Sequence, residues 1–354
     1  MKTSFSLDLL LRDNIKRLVP YSSARDEFKG EASVLLDANE NAFGSPYSKN
    51  YNRYPDPLQR RIKEKLYRIK GVPSEHIFLG NGSDEAIDIL FRAFCEPGRD
   101  NVILVPPTYG MYEVSANINN VLYKKVNLTR DYQLDLDGIA EAIDAYTKLI
   151  FICSPNNPTG NSIRRQDIET ILVNFDGIVV IDEAYINFSK QPSFTKDLEE
   201  FPNLVILQTL SKAWGLAALR LGMAFAGKEI ITVFNKIKPP YNINQATQDV
   251  VLEALEGVDI VNEWIKEVVE EREKLSVSLQ MLSQVDHVTP SDANFILVKL
   301  EEPRELYNFL VSNGIIVRDR SKVELCEGCL RLTVGTPKEN RMLLEKIRAF
   351  YDGV

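Results

Sequence analysis

Ile178-Val-Val-Ile-Asp182-Glu-Ala-Tyr185 sets four β-branched residues in a row, ends them in a carboxylate and places a phenol three positions further on. A short apolar run without alternation is the mark of a strand buried on both faces, as in a parallel sheet covered by helices. The same signature recurs in Ile77-Phe-Leu79, Val102-Ile-Leu-Val105, Leu149-Ile-Phe-Ile-Cys153, Leu204-Val-Ile-Leu207 and Gly222-Met-Ala-Phe-Ala226. Between several of these runs the apolar residues take helical spacing, as at Ile87, Leu90, Phe91 and Phe94 or at Ile168, Ile171, Leu172 and Phe175. The fold class is α/β: a large domain with a mostly parallel sheet covered by helices, plus a smaller α+β domain. Such a sheet binds its ligand beyond the carboxyl ends of its strands. Lys238-Pro-Pro-Tyr241 marks the boundary of the large domain. After it the pattern predicts a charged helix over about 259–282, strands at 294–299, 314–317 and 330–334, and a helix near 306–311.

Composition limits the function. At 354 residues, 44% hydrophobic and 26% charged, the chain is long enough for one large and one smaller globular domain. A net charge of −8 speaks against a general nucleic-acid or membrane-surface binder, so any anion site must be local. The apolar run Leu9 to Leu11 is too short for a signal peptide, and no segment is long enough to span a bilayer. Four cysteines fit no disulfide framework, which points to a reducing cytoplasm. Cys326-Glu-Gly-Cys329 has metal or redox spacing, but it has no second pair, His76 and His287 lie far off in sequence, and a strand follows it. No metal is expected. With only two histidines, most Ser-His-Asp and H-E-x-x-H mechanisms are excluded.

Chemistry-bearing groups collect where the strands end. Thr209-Leu-Ser-Lys-Ala-Trp-Gly-Leu-Ala-Ala-Leu-Arg220 puts Lys212 just after a buried strand, with Arg220 eight residues on. A lysine kept partly dry beside other cations loses its proton readily and can form an imine. Arg220, Thr209 and Ser211 can hold a phosphate dianion. By itself the same stretch also reads as a solvated lysine at a helix start. Gly80-Asn-Gly82-Ser83-Asp84-Glu85 opens a helix after a strand and is either a phosphate-binding N-terminus or a turn with Ser83 or Asp84 as N-cap. Glu85 in place of a third glycine rules out a dinucleotide fingerprint. Asp182 can keep a bound pyridine nitrogen protonated, with Tyr185 on the ring hydroxyl, or it can be an N-cap beside a packing tyrosine. Ser154-Pro-Asn-Asn157-Pro-Thr-Gly160 offers side-chain amides, and Pro106-Pro-Thr-Tyr109 an aromatic for stacking.

In this order, Gly-Ser-Asp, P-P-T-Y, S-P-N-N-P-T-G, D-E-A-Y and S-K with its following Arg resemble the pyridoxal-phosphate enzymes of fold type I, the aspartate aminotransferase superfamily, over nearly the whole chain. The resemblance implies pyridoxal 5′-phosphate as cofactor, Lys212 as Schiff-base lysine, Asp182 on the pyridine nitrogen, Tyr185 and Asn157 near the ring hydroxyl, and Tyr109 stacked on the ring. It assigns the cofactor phosphate to Ser83, to the backbone of Gly82 to Asp84, to Ser211 and Arg220, and to Thr209.

The chain ends narrow the resemblance. Pro20-Tyr21-Ser-Ser-Ala-Arg25, Asp37-Ala-Asn39-Glu40-Asn41, Asn52-Arg-Tyr54-Pro55, Ile316-Val-Arg318-Asp319 and Cys329-Leu-Arg331-Leu-Thr-Val-Gly335-Thr resemble histidinol-phosphate aminotransferases. That family implies a homodimer in which Tyr54 reaches the neighbouring subunit's cofactor phosphate. It also implies that Tyr21, Asn157, Arg318 and Arg331 receive the substrate. Ala42 stands where many relatives carry proline. The implied organisation is an arm over 1–45, packing on the small domain and the partner, a cofactor domain over 46–240 and a small domain over 241–354. The implied reaction exchanges an amino group between glutamate and imidazole acetol phosphate, with Lys212 as the base on Cα. An aromatic or broad-specificity aminotransferase, a threonine-phosphate decarboxylase and a non-catalytic binding module of the same fold are the alternatives.

Overall fold

The computed structural model describes residues 5–21 and 33–353. Two sheets organise the chain. The larger has seven strands: β1 (Ile77–Asn81), β2 (Asn101–Leu104), β3 (Leu122–Lys125), β4 (Thr147–Cys153), β5 (Ile178–Asp182), β6 (Leu204–Thr209) and β7 (Leu221–Ala226). Their spatial order is β1-β7-β6-β5-β4-β2-β3, and β7 alone runs against its neighbours. Every predicted strand of this domain is present.

The unalternating runs are explained by the two faces. Ile178 and Val180 point into one core with Phe78, Phe91 and Phe151, whereas Val179 and Ile181 point into the other with Ile150, Ile206 and Leu221. All four apolar side chains of β5 have 0% exposure. Each such burial stabilises the fold by on the order of 1.5–3 kcal/mol. The strand absent from the sequence reading is β3, an edge strand whose Lys124 and Lys125 pair with Asp144 and Glu113 at 2.7 and 2.8 Å. Its charges guard an open edge, and they also remove the apolar signature.

The smaller sheet is antiparallel: β8 (Val285–Val288), β9 (Phe295–Leu300), β10 (Arg318–Asp319) and β11 (Cys329–Thr333), in the order β10-β11-β9-β8. Helices Val258–Gln280, Pro303–Ser312 and Pro337–Tyr351 enclose its separate core, which includes Leu275, Ile296, Leu306, Leu330 and Ile347. Two readings are corrected here. Residues 314–317 form no strand, because Ile316 is 74% exposed and pairing begins only at Arg318. The terminal helix, absent from the sequence reading, starts with a capping box in which Thr336 and Glu339 each accept the other's backbone N–H.

The described residues of the arm up to Arg17 pack on the large domain. Ile15 is buried in the core that holds Phe91 and Phe94, and Arg12 meets Glu96 at 3.1 Å. Lys236 donates to the Ile15 carbonyl at 2.7 Å, fixing the end of that segment. Of the arm motif 20–25, only Pro20 and Tyr21 lie within the described residues. At the other boundary the helix Gln245–Ala254 still packs on the helix Arg60–Lys70, with Lys65 donating to the Leu252 carbonyl at 2.9 Å.

Candidate active site

Strand ends β1, β4, β5 and β6 open onto one cleft. Its walls include Gly82, Ser83, Asp84, Tyr109, Asn157, Asp182, Tyr185, Thr209, Ser211, Lys212 and Arg220. Local backbone explains how the anion end forms. Gly82, at φ 71°, starts the helix Gly82–Phe94 and donates its N–H to the Arg220 carbonyl at 2.6 Å. The turn lies flat on β7: a Cβ on Gly222 would stand 2.2 Å from the Gly82 carbonyl carbon and from the Ser83 nitrogen. Glycine is required there by sterics. Free N–H groups at a helix start attract anions, and Arg220, 3.5 Å from Asp84, adds a cation beside them. Thr209 donates to Ser211 Oγ at 2.9 Å, which completes a cluster of hydroxyls on the same side. Neither Ser83 nor Asp84 caps the helix, since the N-cap is Asn81 and makes no side-chain cap bond.

Asp182 ends β5 at 3% exposure. Its Oδ2 accepts the Tyr112 hydroxyl at 2.7 Å, and its Oδ1 accepts the Ala184 N–H at 3.0 Å. Burial pushes this carboxyl up, against those two hydrogen bonds and the nearby Lys212. The Asp182 side chain closes a two-residue turn and caps no helix.

Lys212 stands exposed in the open cleft, with its amine 5.5 Å from the Tyr185 ring centre. Burial lowers its pKa first, followed by the charges of Arg331 and Arg220, while Asp182 and Asp84 oppose them. Tyr185 is buried, and its ring meets Phe295 of the small sheet edge-on at 5.0 Å. Tyr109 donates to Asp84 Oδ1 at 3.2 Å and packs edge-on against Tyr112.

The small sheet contributes Arg331, whose Nη1 donates to Asn157 Oδ1. Its guanidinium lies 5.1 Å from the Phe295 ring centre, and its Nε is buried without a protein partner. An unsatisfied buried donor invites an acidic ligand. Arg318 is opposite Arg331 in the β10–β11 register, but it is exposed. Tyr21 is 71% exposed and is not a wall of the cleft. Tyr54 stacks on Tyr241 at 4.5 Å in a separate groove that also holds Glu40, Asn52 and Arg53.

Sequence reasoning missed Tyr112 and Asn156. Asn156 is 1% exposed, donates to the Pro107 carbonyl and accepts from Thr108, tying the two proline-rich turns together. Its position within S-P-N-N-P was the available signal. Tyr112 offered none, because nothing local shows which face of the helix Met111–Ile118 meets β5.

The profile of the family described as Aminotransferase class I and II matches residues 32–347. The chain belongs to that aminotransferase family. A histidinol-phosphate aminotransferase of Cytophaga hutchinsonii is 54% identical over 98% of this chain and 100% of its own length. The enzyme of that name from Parabacteroides distasonis is 56% identical over 96% and 97%. The crystal structure of histidinol-phosphate aminotransferase from Sinorhizobium meliloti in complex with pyridoxal-5′-phosphate superposes with a TM-score of 0.78 at 23% identity, covering 88% of this chain and 90% of that one. The likeness to that structure shows the shared fold. The cofactor of this aminotransferase is pyridoxal phosphate. The site fits such a group in charge and shape: a buried carboxylate and a lysine of lowered pKa lie in one cleft with a glycine-floored anion end.

Proposed function

We propose that this aminotransferase transfers an amino group between glutamate and imidazole acetol phosphate, giving L-histidinol phosphate and 2-oxoglutarate in histidine biosynthesis. The observation that carries the reading is Arg331. A guanidinium brought from the small sheet to Asn157, with its Nε unpaired, supplies the second anion site that a phosphate monoester and a dicarboxylate both require. The names of the relatives at 54% and 56% identity support the same substrate.

Bound in the cleft, pyridoxal phosphate supplies an aldehyde that captures amines and a ring that draws off the electron pair left when a Cα proton departs. The chain's residues do the rest. Lys212 would anchor the group through its amine and would be the base that takes and returns the substrate's Cα proton. Asp182 would hold the pyridine nitrogen, Tyr185 and Asn157 the ring hydroxyl, and Tyr109 would cover the ring. Ser83, the backbone N–H groups of Ser83 and Asp84, Thr209, Ser211 and Arg220 would hold the phosphate, while the Gly82 N–H is taken by the Arg220 carbonyl. Arg331 would receive the substrate's anionic end, whereas Arg318 and Tyr21, expected beside it, are exposed outside the cleft.

The same reading makes the protein a cytoplasmic homodimer with an arm at 1–45, a cofactor domain at 46–240 and a small domain at 241–354. In support, Val34, Leu36 and Phe43 are 69%, 84% and 103% exposed, an apolar surface suited to a partner subunit. Tyr54, outside its own cleft, is read as serving the neighbour's. No helix of the described residues is long and apolar enough to cross a membrane.

An absorbance titration of the pyridoxal phosphate-loaded protein tests the substrate. L-Histidinol phosphate should convert the bound cofactor fully, with phenylalanine and threonine phosphate acting weakly. Conversion by phenylalanine at equal efficiency, or carbon dioxide release from threonine phosphate, would sink the assignment.

A further inference from the structure

Asp182 has two oxygens, and each is held by a different part of the fold. Oδ1 takes the Ala184 N–H of its own turn, whereas Oδ2 takes the hydroxyl of Tyr112, seventy positions earlier in the chain. Tyr112 has 0% exposure. Its ring stacks on Phe151 of β4 at 4.9 Å and meets Tyr109 edge-on at 5.5 Å, so the phenol has no freedom to turn away from the carboxylate. One side chain thus touches both the carboxylate proposed for the ring nitrogen and the aromatic proposed to cover the ring. We propose that Tyr112 is a positioning residue that fixes the aim and the charge of Asp182, and through it the proton on the cofactor's pyridine nitrogen. The proposal rests on the cofactor reading above.

The physical case is a competition for one proton. A carboxylate buried this deeply is driven toward its neutral acid, and a phenol donating at 2.7 Å favours the anion. The hydroxyl favours the Asp182 anion, which would keep the proton on a bound pyridine nitrogen. Without it, the carboxyl would compete more strongly for that proton, and a bound ring would draw electrons less strongly. A purely structural tyrosine would support packing alone. Its loss would lower stability without altering the nitrogen.

The test uses holoenzyme loaded with pyridoxal phosphate carrying ¹⁵N in the ring, in wild type, Tyr112→Phe and a variant with 4-fluorophenylalanine at position 112. The last fills the space of the hydroxyl without donating, which guards against a Phe variant that does not fold. The wild type should show a protonated-nitrogen signal, and either variant a signal displaced toward neutral pyridine. Turnover should fall by roughly ten- to a hundredfold, the scale of one lost hydrogen bond to a charged group, with KM within about twofold. A nitrogen signal identical to wild type in whichever variant folds overturns the role of Tyr112. A wild-type protein that binds no pyridoxal phosphate overturns the cofactor reading instead, so the two failures are distinguishable.

Discussion

Arg331 on β11 donates to Asn157 in the turn after β4, joining the small sheet to the end of the large one across 174 positions of sequence. The pair gives the cleft its second cation, and through charge it also reaches Lys212. Arg331→Gln should therefore leave cofactor binding nearly intact while lowering kcat/KM for L-histidinol phosphate by roughly a hundredfold or more, as expected when a buried hydrogen-bonded charge is removed. Arg318→Gln, at an exposed position, should cost less than about tenfold. Equal losses in steady-state kinetics would contradict this ranking.

Capture of an aldehyde needs a neutral amine. The rate constant for pyridoxal phosphate binding to cofactor-free protein should rise with pH and level off at a midpoint below lysine's ordinary 10.5, because burial and the Arg331 and Arg220 charges lower the pKa of Lys212. Arg331→Gln removes one of those charges, so its midpoint should be higher than the wild type's. A stopped-flow pH series reads both values, and a midpoint unmoved by the substitution would exclude the charge coupling.

Gly222→Ala puts a Cβ within 2.2 Å of the backbone of Gly82 and Ser83. No side chain can yield there, so the turn that offers its N–H groups to an anion must move. We expect a loss of about 1–3 kcal/mol of stability. Cofactor affinity should weaken by roughly tenfold or more, equivalent to about 1.4 kcal/mol. Thermal melts and equilibrium titration check the two effects, and an unchanged affinity would mean that the phosphate sits elsewhere.

Cys326 and Cys329 are free and buried, and burial pushes their thiols up to about 12 and about 11. Thiols held so far above neutrality are poor nucleophiles and poor metal ligands. Native protein at pH 8 should resist alkylation at both positions by mass spectrometry, with rapid labelling after unfolding. Turnover that depends on chelator or reductant would revive a metal or redox role for the pair.

Removal of the Lys212 amine gives the bluntest outcome. Lys212→Ala should lose both turnover and the covalent attachment of the cofactor, as read by borohydride trapping and mass spectrometry. Retained transamination would refute the assignment of this residue.

Legibility followed burial. The strands of the large sheet other than β3 announced themselves because both of their faces are covered, leaving no polar position to interrupt the run. Strands β3 and β8 lie at sheet edges, and Lys124, Lys125, Asp286 and His287 break the apolar pattern there. Apolarity misled at 314–317, where Ile316 is spent on solvent and not on pairing.

The site divides along the same line. Local sequence determined which residues stand at the carboxyl ends of β1, β4, β5 and β6, because a buried strand followed by a turn leaves its next few side chains at the sheet's edge whatever the rest of the chain does. Tertiary structure alone decided that Tyr112 meets Asp182, that Arg331 reaches Asn157 and that Arg318, its neighbour in register, stays outside. Those contacts depend on how helices and a second sheet pack across long separations, and no local periodicity encodes that packing.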